Sequence, residues 1–248
     1  MVDHVNGDLP ASPAAAGAAA QVFLEDLDAP VPDPDDLHHL SRVLRLRPGE
    51  AVVAADGAGS WRLCRFVAGP GDGAGLTADG PVLVEAAPGA PVAVGFVPVK
   101  GERPEWVVQK LTELGVDRIV VLRSARSVVR WEGDRAATAL DRLRRVAREA
   151  AAQSRRARLP VLEGVWDLAT MAQRSAPGRL ALAHPGGAPP DGALRCVAVG
   201  PEGGWGEDER AEGTPLVDLG PRVLRAETAA VAAGTILCAL RDGVVRPL

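Results

Sequence analysis

The sequence has no tyrosine and only 3 phenylalanines among its 248 residues. Little aromatic surface is therefore on offer for stacking against nucleic-acid bases, apart from Trp61, Trp106, Trp131, Trp166 and Trp205. A core role is the reading for most of these, and Trp205, next to glycines, is the one to test as a ligand contact. Cysteine is scarce as well. Cys64, Cys196 and Cys238 are odd in number and far apart, which argues against a disulfide framework and a cysteine-based zinc site and in favour of buried thiols. The histidines show no metal spacing, since His38 and His39 are adjacent while His4 and His184 stand alone, so no metal is expected.

Longer patterns are missing too. No apolar run approaches the ~20 residues of a membrane helix, because Arg225, Glu227 and Arg241 interrupt the alanine-rich C-terminal stretch. No Lys or Arg precedes Arg42, so the basic start of a secretory signal is absent. These absences lead us to expect a cytoplasmic chain that does not engage a membrane. No stretch satisfies G-x-G-x-x-G: residues 69–75 are glycine-rich but miss the third position and open no helix. Neither Lys100 nor Lys110 sits in a Walker A loop, and no G-x-S-x-G elbow occurs. Rossmann, P-loop and hydrolase readings are disfavoured.

What is present is an ordinary globular composition, 47% hydrophobic and 24% charged, in a length that suits two modest domains. The net charge of −4 hides an uneven distribution. Residues 1–37 carry eight acids and no base, whereas residues 118–158 carry twelve arginines against four acids. Such a local excess suits a polyanion, although a solvated arginine-rich helix face would look the same.

The texture of the chain changes once. Residues 1–20, rich in Ala, Pro and Gly without periodicity, read as a loose tail. Residues 21–87 hold short β-type runs broken by glycine turns, with one helix at 35–45 where Leu37, Leu40 and Leu44 recur at helical spacing. After a Pro-rich linker, residues 91–248 alternate strands with longer helices, the pattern of an α/β domain. Strands are expected at 92–97, 118–122, 180–183, 195–199 and 215–219. Helices are expected from Pro104 to the cap at Gly115, over 134–154 and over 225–240.

Two segments at the ends of these strands can carry chemistry, residues 199–204 (Val-Gly-Pro-Glu-Gly-Gly) and residues 219–229 (Leu-Gly-Pro-Arg-Val-Leu-Arg-Ala-Glu-Thr-Ala). Ligands of open α/β sheets bind beyond the carboxyl ends of strands, and glycine there lets backbone approach a ligand closely. These segments follow Lys100-Gly101-Glu102-Arg103 and residues 109–116 (Gln-Lys-Leu-Thr-Glu-Leu-Gly-Val), with residues 39–50 (His-Leu-Ser-Arg-Val-Leu-Arg-Leu-Arg-Pro-Gly-Glu) near the front. Four motifs in order and in register resemble the RNA methyltransferase family specific for uridine N3 in 16S rRNA, from about residue 21 to the C-terminus.

The resemblance implies a PUA-like β-barrel domain followed by a SPOUT-type α/β domain with a C-terminal trefoil knot. It also implies a homodimer, S-adenosylmethionine (SAM) as cofactor, and 16S rRNA or the small ribosomal subunit as partner. The matching cofactor positions are His184 and Pro185; Gly200, Pro201, Glu202, Gly203 and Gly204; and Leu219, Gly220, Val223, Leu224, Arg225, Thr228 and Ala229.

Methyl transfer to uracil N3 needs an aligned nucleophile and an exit for the imide proton. Arg225 is the candidate to stabilise the resulting charge, because a guanidinium offers a planar fork of donors. Glu227 is the candidate base, although a carboxylate in the first turn of a helix is also favoured by the helix dipole alone. Arg42, Arg45 and Arg47, with Arg155, Arg156 and Arg158, are the candidates for phosphate contacts. A SPOUT methyltransferase acting elsewhere on RNA, and a non-catalytic RNA-binding assembly factor, remain open.

Overall fold

Short β-branched and aromatic runs between glycine turns bury their apolar sides only by pairing with one another, and the front of the chain does so. The computed structural model describes residues 10–68, 74–175 and 180–246. It divides into two units, Met1–Ala87 with Ala151–Leu159, and Pro88–Ala150 with Pro160–Leu248.

The first unit contains β1 (Ala20–Phe23), α1 (Pro34–His38) running into a π-type turn at His39–Val43, β2 (Ala51–Ala55), β3 (Ser60–Ala68), β4 (Ala74–Ala78) and β5 (Leu83–Val84). Strands β2, β3 and β4 form an antiparallel meander, β1 joins β2 in parallel, and β5 pairs with the start of β3. Alternation sorts the side chains. Val52, Ala54, Cys64 and Phe66 pack with Leu40 on one face, while Val53, Ala55 and Trp61 pack with Ala151 and Ala157 on the other. The helical stretch opens where Asp33 accepts from the Asp36 amide at 2.7 Å with Pro34 behind it.

Two expectations change here. Residues 10–19 are not loose: Ser12 caps a 3-10 turn at Pro13–Ala16, and the Ala19 amide donates to the Ala51 carbonyl at 2.9 Å. The rest of the expected tail, residues 1–9, lies outside the described residues, as does most of the glycine-rich stretch 69–75. Residues 151–159 group with the first unit although the sequence places them in the second. The cause is specific bonding. Arg155 Nη2 donates to the Ala18 and Ala19 carbonyls at 3.0 and 2.9 Å, Arg158 Nη2 donates to the Glu85 carbonyl at 2.7 Å, and Gln21 Nε2 donates to the Arg156 carbonyl at 2.6 Å.

Beyond Ala87 strands alternate with helices. They are β6 (Ala93–Phe96), α2 (Arg103–Glu113), β7 (Arg118–Leu122), α3 (Gly133–Gln153), β8 (Val161–Trp166), α4 (Leu168–Arg174), β9 (Leu180–Ala188), β10 (Cys196–Val199), β11 (Leu216–Val217) and α5 (Ala226–Arg241). Among the described residues they build a parallel sheet in the order β11-β9-β10-β6-β7-β8. Both faces are covered. Ile119 and Val121 face a core with α2, α3 and α5, whereas Val120 and Leu122 face one with Leu168 and Met171 of α4. Gly95 makes the second packing possible, since a Cβ there would fall 2.5 Å from the Met171 sulfur.

Alanine suits α5, which approaches α2 so closely that a Cβ on Gly234 would lie 2.5 Å from Leu111. Its C-terminal end is anchored by Arg241, 13% exposed, which donates to Asp117 Oδ2 at 2.7 Å and to the Gly115 carbonyl at 3.1 Å. Removing either partner leaves a half-buried charge without its counterpart, which destabilises the fold. This anchoring holds the helix whose other end borders the site. The three cysteines are buried and free, and burial raises the Cys64 thiol to about 11. No helix among the described residues is long and apolar enough to cross a membrane.

Candidate functional site

Three neighbouring parallel strands end in three bends. Within β9, Leu182 pairs with Leu216 while Ala188 pairs with the next residue, Val217, so the five residues between are thrown out of the ladder. His184, Pro185 and Gly186 are in that bulge. After β10, residues 200–204 turn back, with the Gly204 amide donating to the Pro201 carbonyl at 2.8 Å and Gly204 at φ +68°. After β11, the chain passes Asp218 and Gly220, at φ +132°, before Arg225 caps α5 in an extended conformation.

The bends surround a cavity of about 430 Å3. Its wall includes His184, Pro185, Gly200, Pro201, Glu202, Gly203, Gly204, Leu219, Gly220, Val223, Leu224 and Ala229, all marked from the sequence. Arg225, Glu227 and Thr228 are not part of that wall. Successive residues of a helix point about 100° apart, so Ala226 and Ala229 face the cavity and the residues between do not. Arg225 is exposed between two wall residues, Leu224 and Ala226. The Glu227 side chain, 11% exposed, instead lies 3.5 Å from Arg103 at the start of α2.

Several wall residues escape sequence reasoning. Asp218 ties two bends together, accepting from the Gly186 amide at 2.9 Å and the Gly220 amide at 3.0 Å. Those amides, Gly220 first, hold its carboxyl below the usual range, and nearby His184 adds to the effect. The Asp-x-Gly spacing of an Asx turn after a strand is the signal that marks it. Arg126, Arg210 and Arg222 also line the cavity, and Arg126 donates to the Gly203 carbonyl at 2.8 Å. Trp205 is only 8% exposed and packs in the core, yet its Nε1 is buried without a partner beside Gly200. A Cβ on Gly200 would sit 3.0 Å from that nitrogen.

Of the arginines marked for phosphate, Arg42, Arg45 and Arg47 are exposed in the first unit. Arg155, Arg156 and Arg158 are half-buried, and the guanidinium groups of Arg155 and Arg158 face carbonyls.

A model of an RNA methyltransferase domain matches residues 86–238, and a model of an RNA methyltransferase PUA domain matches residues 31–74. The chain belongs to the RNA methyltransferase family. Within this family it is similar to the ribosomal RNA small subunit methyltransferase E of Mycobacterium tuberculosis, at 38% identity over 221 residues covering 82% of this chain and 83% of the relative. Two solved methyltransferase neighbours hold SAM. One, a methyltransferase from Legionella pneumophila, superposes with a TM-score of 0.74 at 26% identity, covering 88% of this chain and 96% of that one. The other, a ribosomal RNA small subunit methyltransferase E from Neisseria gonorrhoeae, gives 0.72 at 26% identity, covering 89% and 97%. The family's architecture, a PUA-like domain followed by an α/β methyltransferase domain with a parallel sheet, is the one the sequence motifs imply.

Proposed function

We propose that this chain transfers the methyl group of SAM to N3 of a uridine in 16S rRNA, in the cytoplasm. The observation that carries the reading is the single cavity made by three bends at the carboxyl ends of β9, β10 and β11. Its volume, about 430 Å3, falls in the range of small-molecule sites. The chemistry of the wall fits as well. Leu182, Leu219, Leu224 and Ala229 give an apolar bed for a purine, the bends present backbone groups to its edge, and the Trp205 N–H waits without a partner.

When bound, SAM supplies a methyl carbon activated by a sulfonium, which needs neither a metal nor a covalent enzyme intermediate. The residues of the chain then have two tasks. The bends hold the donor so that an incoming ring nitrogen meets the carbon in line, and alignment of this kind contributes up to about 7–11 kcal/mol. Arg225, exposed at the rim, directs its donors to the carbonyl oxygens that flank N3 as that atom loses its proton. Glu227 is turned towards Arg103 and lies off the cavity wall, so in this reading the proton leaves to water through the open side of the cavity. Exposed Arg42, Arg45 and Arg47 provide phosphate contacts that place the RNA without reading its sequence.

A trefoil knot formed by the C-terminal segment and a homodimeric state belong to the same proposal. Large apolar side chains left exposed at Trp106 on α2 and at Val244 and Val245 after α5 support the second. The decisive experiment follows labelled methyl from SAM into small subunits that lack the mark and maps the modified atom. Label at N3 of a uridine, lost in Arg225→Ala, is the expected result; label at a ribose hydroxyl, or a fully active Arg225→Ala, overturns the assignment.

A further inference from the structure

Glu209 lies outside the cavity wall, yet both oxygens of its carboxylate are engaged. Oε1 accepts from the Ala125 amide at 2.9 Å, and Oε2 accepts from the Gly206 amide at 2.8 Å and from the Ser124 hydroxyl at 2.9 Å. Ser124 and Ala125 belong to the loop after β7. Gly206 belongs to the loop after β10 that begins with the bend at Gly200. One residue on from Ala125, Arg126 donates to the Gly203 carbonyl. A carboxylate and a guanidinium thus fasten the same two loops from opposite directions.

The bend needs such fastening. Residues 200–206 include four glycines and no regular structure, so free in solution this segment would sample many conformations. Trp205 packs in the core, and the local hydrogen bonding of the segment consists of the Gly204–Pro201 turn and the short 3-10 turn at Glu207–Glu209. A binding wall that must be ordered by its ligand binds more weakly than one already in place. Burial alone raises the pKa of the Glu209 carboxyl, but the Gly206 and Ala125 amides, the Ser124 hydroxyl and the Arg126 charge outweigh it, and the net direction is down. The group is therefore an anion throughout the neutral range, with acceptors enough for all three donors.

We infer that Glu209 is a positioning residue: its carboxylate clips the glycine-rich bend after β10 to the loop after β7, so that the cofactor cavity stands formed before SAM arrives. The inference rests on the reading of the cavity as a SAM site. Glutamine cannot replace the clip. The Ala125 and Gly206 amides aim at different oxygens, and a carboxamide must turn its own N–H groups towards one of them.

The test measures SAM binding by calorimetry for the unaltered protein, Glu209→Gln and Glu209→Ala, together with melting temperature and amide hydrogen exchange without ligand. In the unaltered protein the Ala125 and Gly206 amides should exchange slowly. In Glu209→Gln the SAM dissociation constant should rise roughly tenfold, and more in Glu209→Ala. KM for SAM should rise in step, with kcat at saturating SAM within about twofold, because the clip acts on binding and not on the reacting atoms. A general structural role would lower the melting temperature and leave the affinity of the folded protein alone. Unchanged SAM affinity in both variants overturns the inference, as does rapid exchange at Ala125 and Gly206 in the unaltered protein. Failure of the unaltered protein to bind SAM would instead overturn the cofactor reading. Should the Glu209 variants not fold, exchange in the unaltered protein and Ser124→Ala, expected to weaken SAM about threefold, decide the matter.

Discussion

Two groups of arginines in the first unit look alike along the chain and differ in what they face. Arg42 lies in the π-type turn that α1 runs into, Arg45 and Arg47 follow that turn, and all three side chains are exposed. Arg155 and Arg158 belong to the segment 151–159, are half-buried, and point their guanidinium groups at backbone carbonyls: Ala18 and Ala19 for one, Ala58 and Glu85 for the other. A guanidinium has five donors and no acceptor, so it serves equally well as a bridge between phosphate oxygens or as a cap for carbonyls that no ladder satisfies. Charge density along the chain therefore reports where arginines are, and only packing reports which of the two uses each one has.

The largest expected effect tests the exposed group. Replacing Arg42, Arg45 and Arg47 together by Gln should weaken rRNA binding roughly hundredfold at physiological salt and reduce the slope of log affinity against log salt by about 2. The melting temperature should not move. Fluorescence anisotropy at several salt concentrations checks both quantities, and a lost affinity with an unaltered slope would mean that these arginines do not meet phosphates.

The buried group should answer in the opposite way. Arg158→Ala leaves the Ala58 and Glu85 carbonyls without their donor and should cost about 2 kcal/mol of stability, read from denaturant unfolding, while the salt slope of RNA binding stays as it was. The guanidinium packs directly on the Gly59 backbone, where a Cβ would lie only 2.3 Å from it. Unchanged stability with a shallower salt slope would move Arg158 into the first group.

The same limit explains what was legible in the sequence. Helices α2, α3 and α5 and strands β6, β7, β9, β10 and β11 announce themselves through periodicity and end signals, because each buries a face of its own. Strand β8 does not, since Glu163 and Gly164 break its apolar run, and α4 spans too few residues to display a helical repeat. The bends after β10 and β11 were readable from Gly-Pro at strand ends, and the family resemblance added His184 and Pro185. The parts that hold the bends were not: Asp218 reaches Gly186 across 32 residues and Glu209 reaches Ala125 across 84. Local spacing marks Asp218 through its Asx turn to Gly220, but none encodes a partner so far along the chain. Glu227 and Thr228 were drawn in with their segment, whereas the turn of α5 carries both away from the cavity wall.

The smallest effect separates the two groups most cleanly, because its sign differs between them. Arg45 and Arg155 both hold the backbone in the left-handed region, at φ +55° and +60°. That conformation costs an L-residue with a Cβ about 1–2 kcal/mol, and glycine removes the cost. Glycine also loosens the unfolded chain, which takes back about 0.4–1 kcal/mol. For Arg45, whose exposed side chain supports nothing in the fold, Arg45→Gly should leave stability unchanged or raise it by up to ~1 kcal/mol while RNA affinity falls. For Arg155 the backbone gain is the same, but Arg155→Gly also removes the donor that satisfies the Ala18 and Ala19 carbonyls, a loss of about 1.5–3 kcal/mol for bonds to a charged group. Its net effect should be destabilising by about 1 kcal/mol, with RNA affinity per folded molecule unaltered. Two urea titrations suffice, and equal destabilisation by both substitutions would show that Arg45, like Arg155, is held in place by the fold.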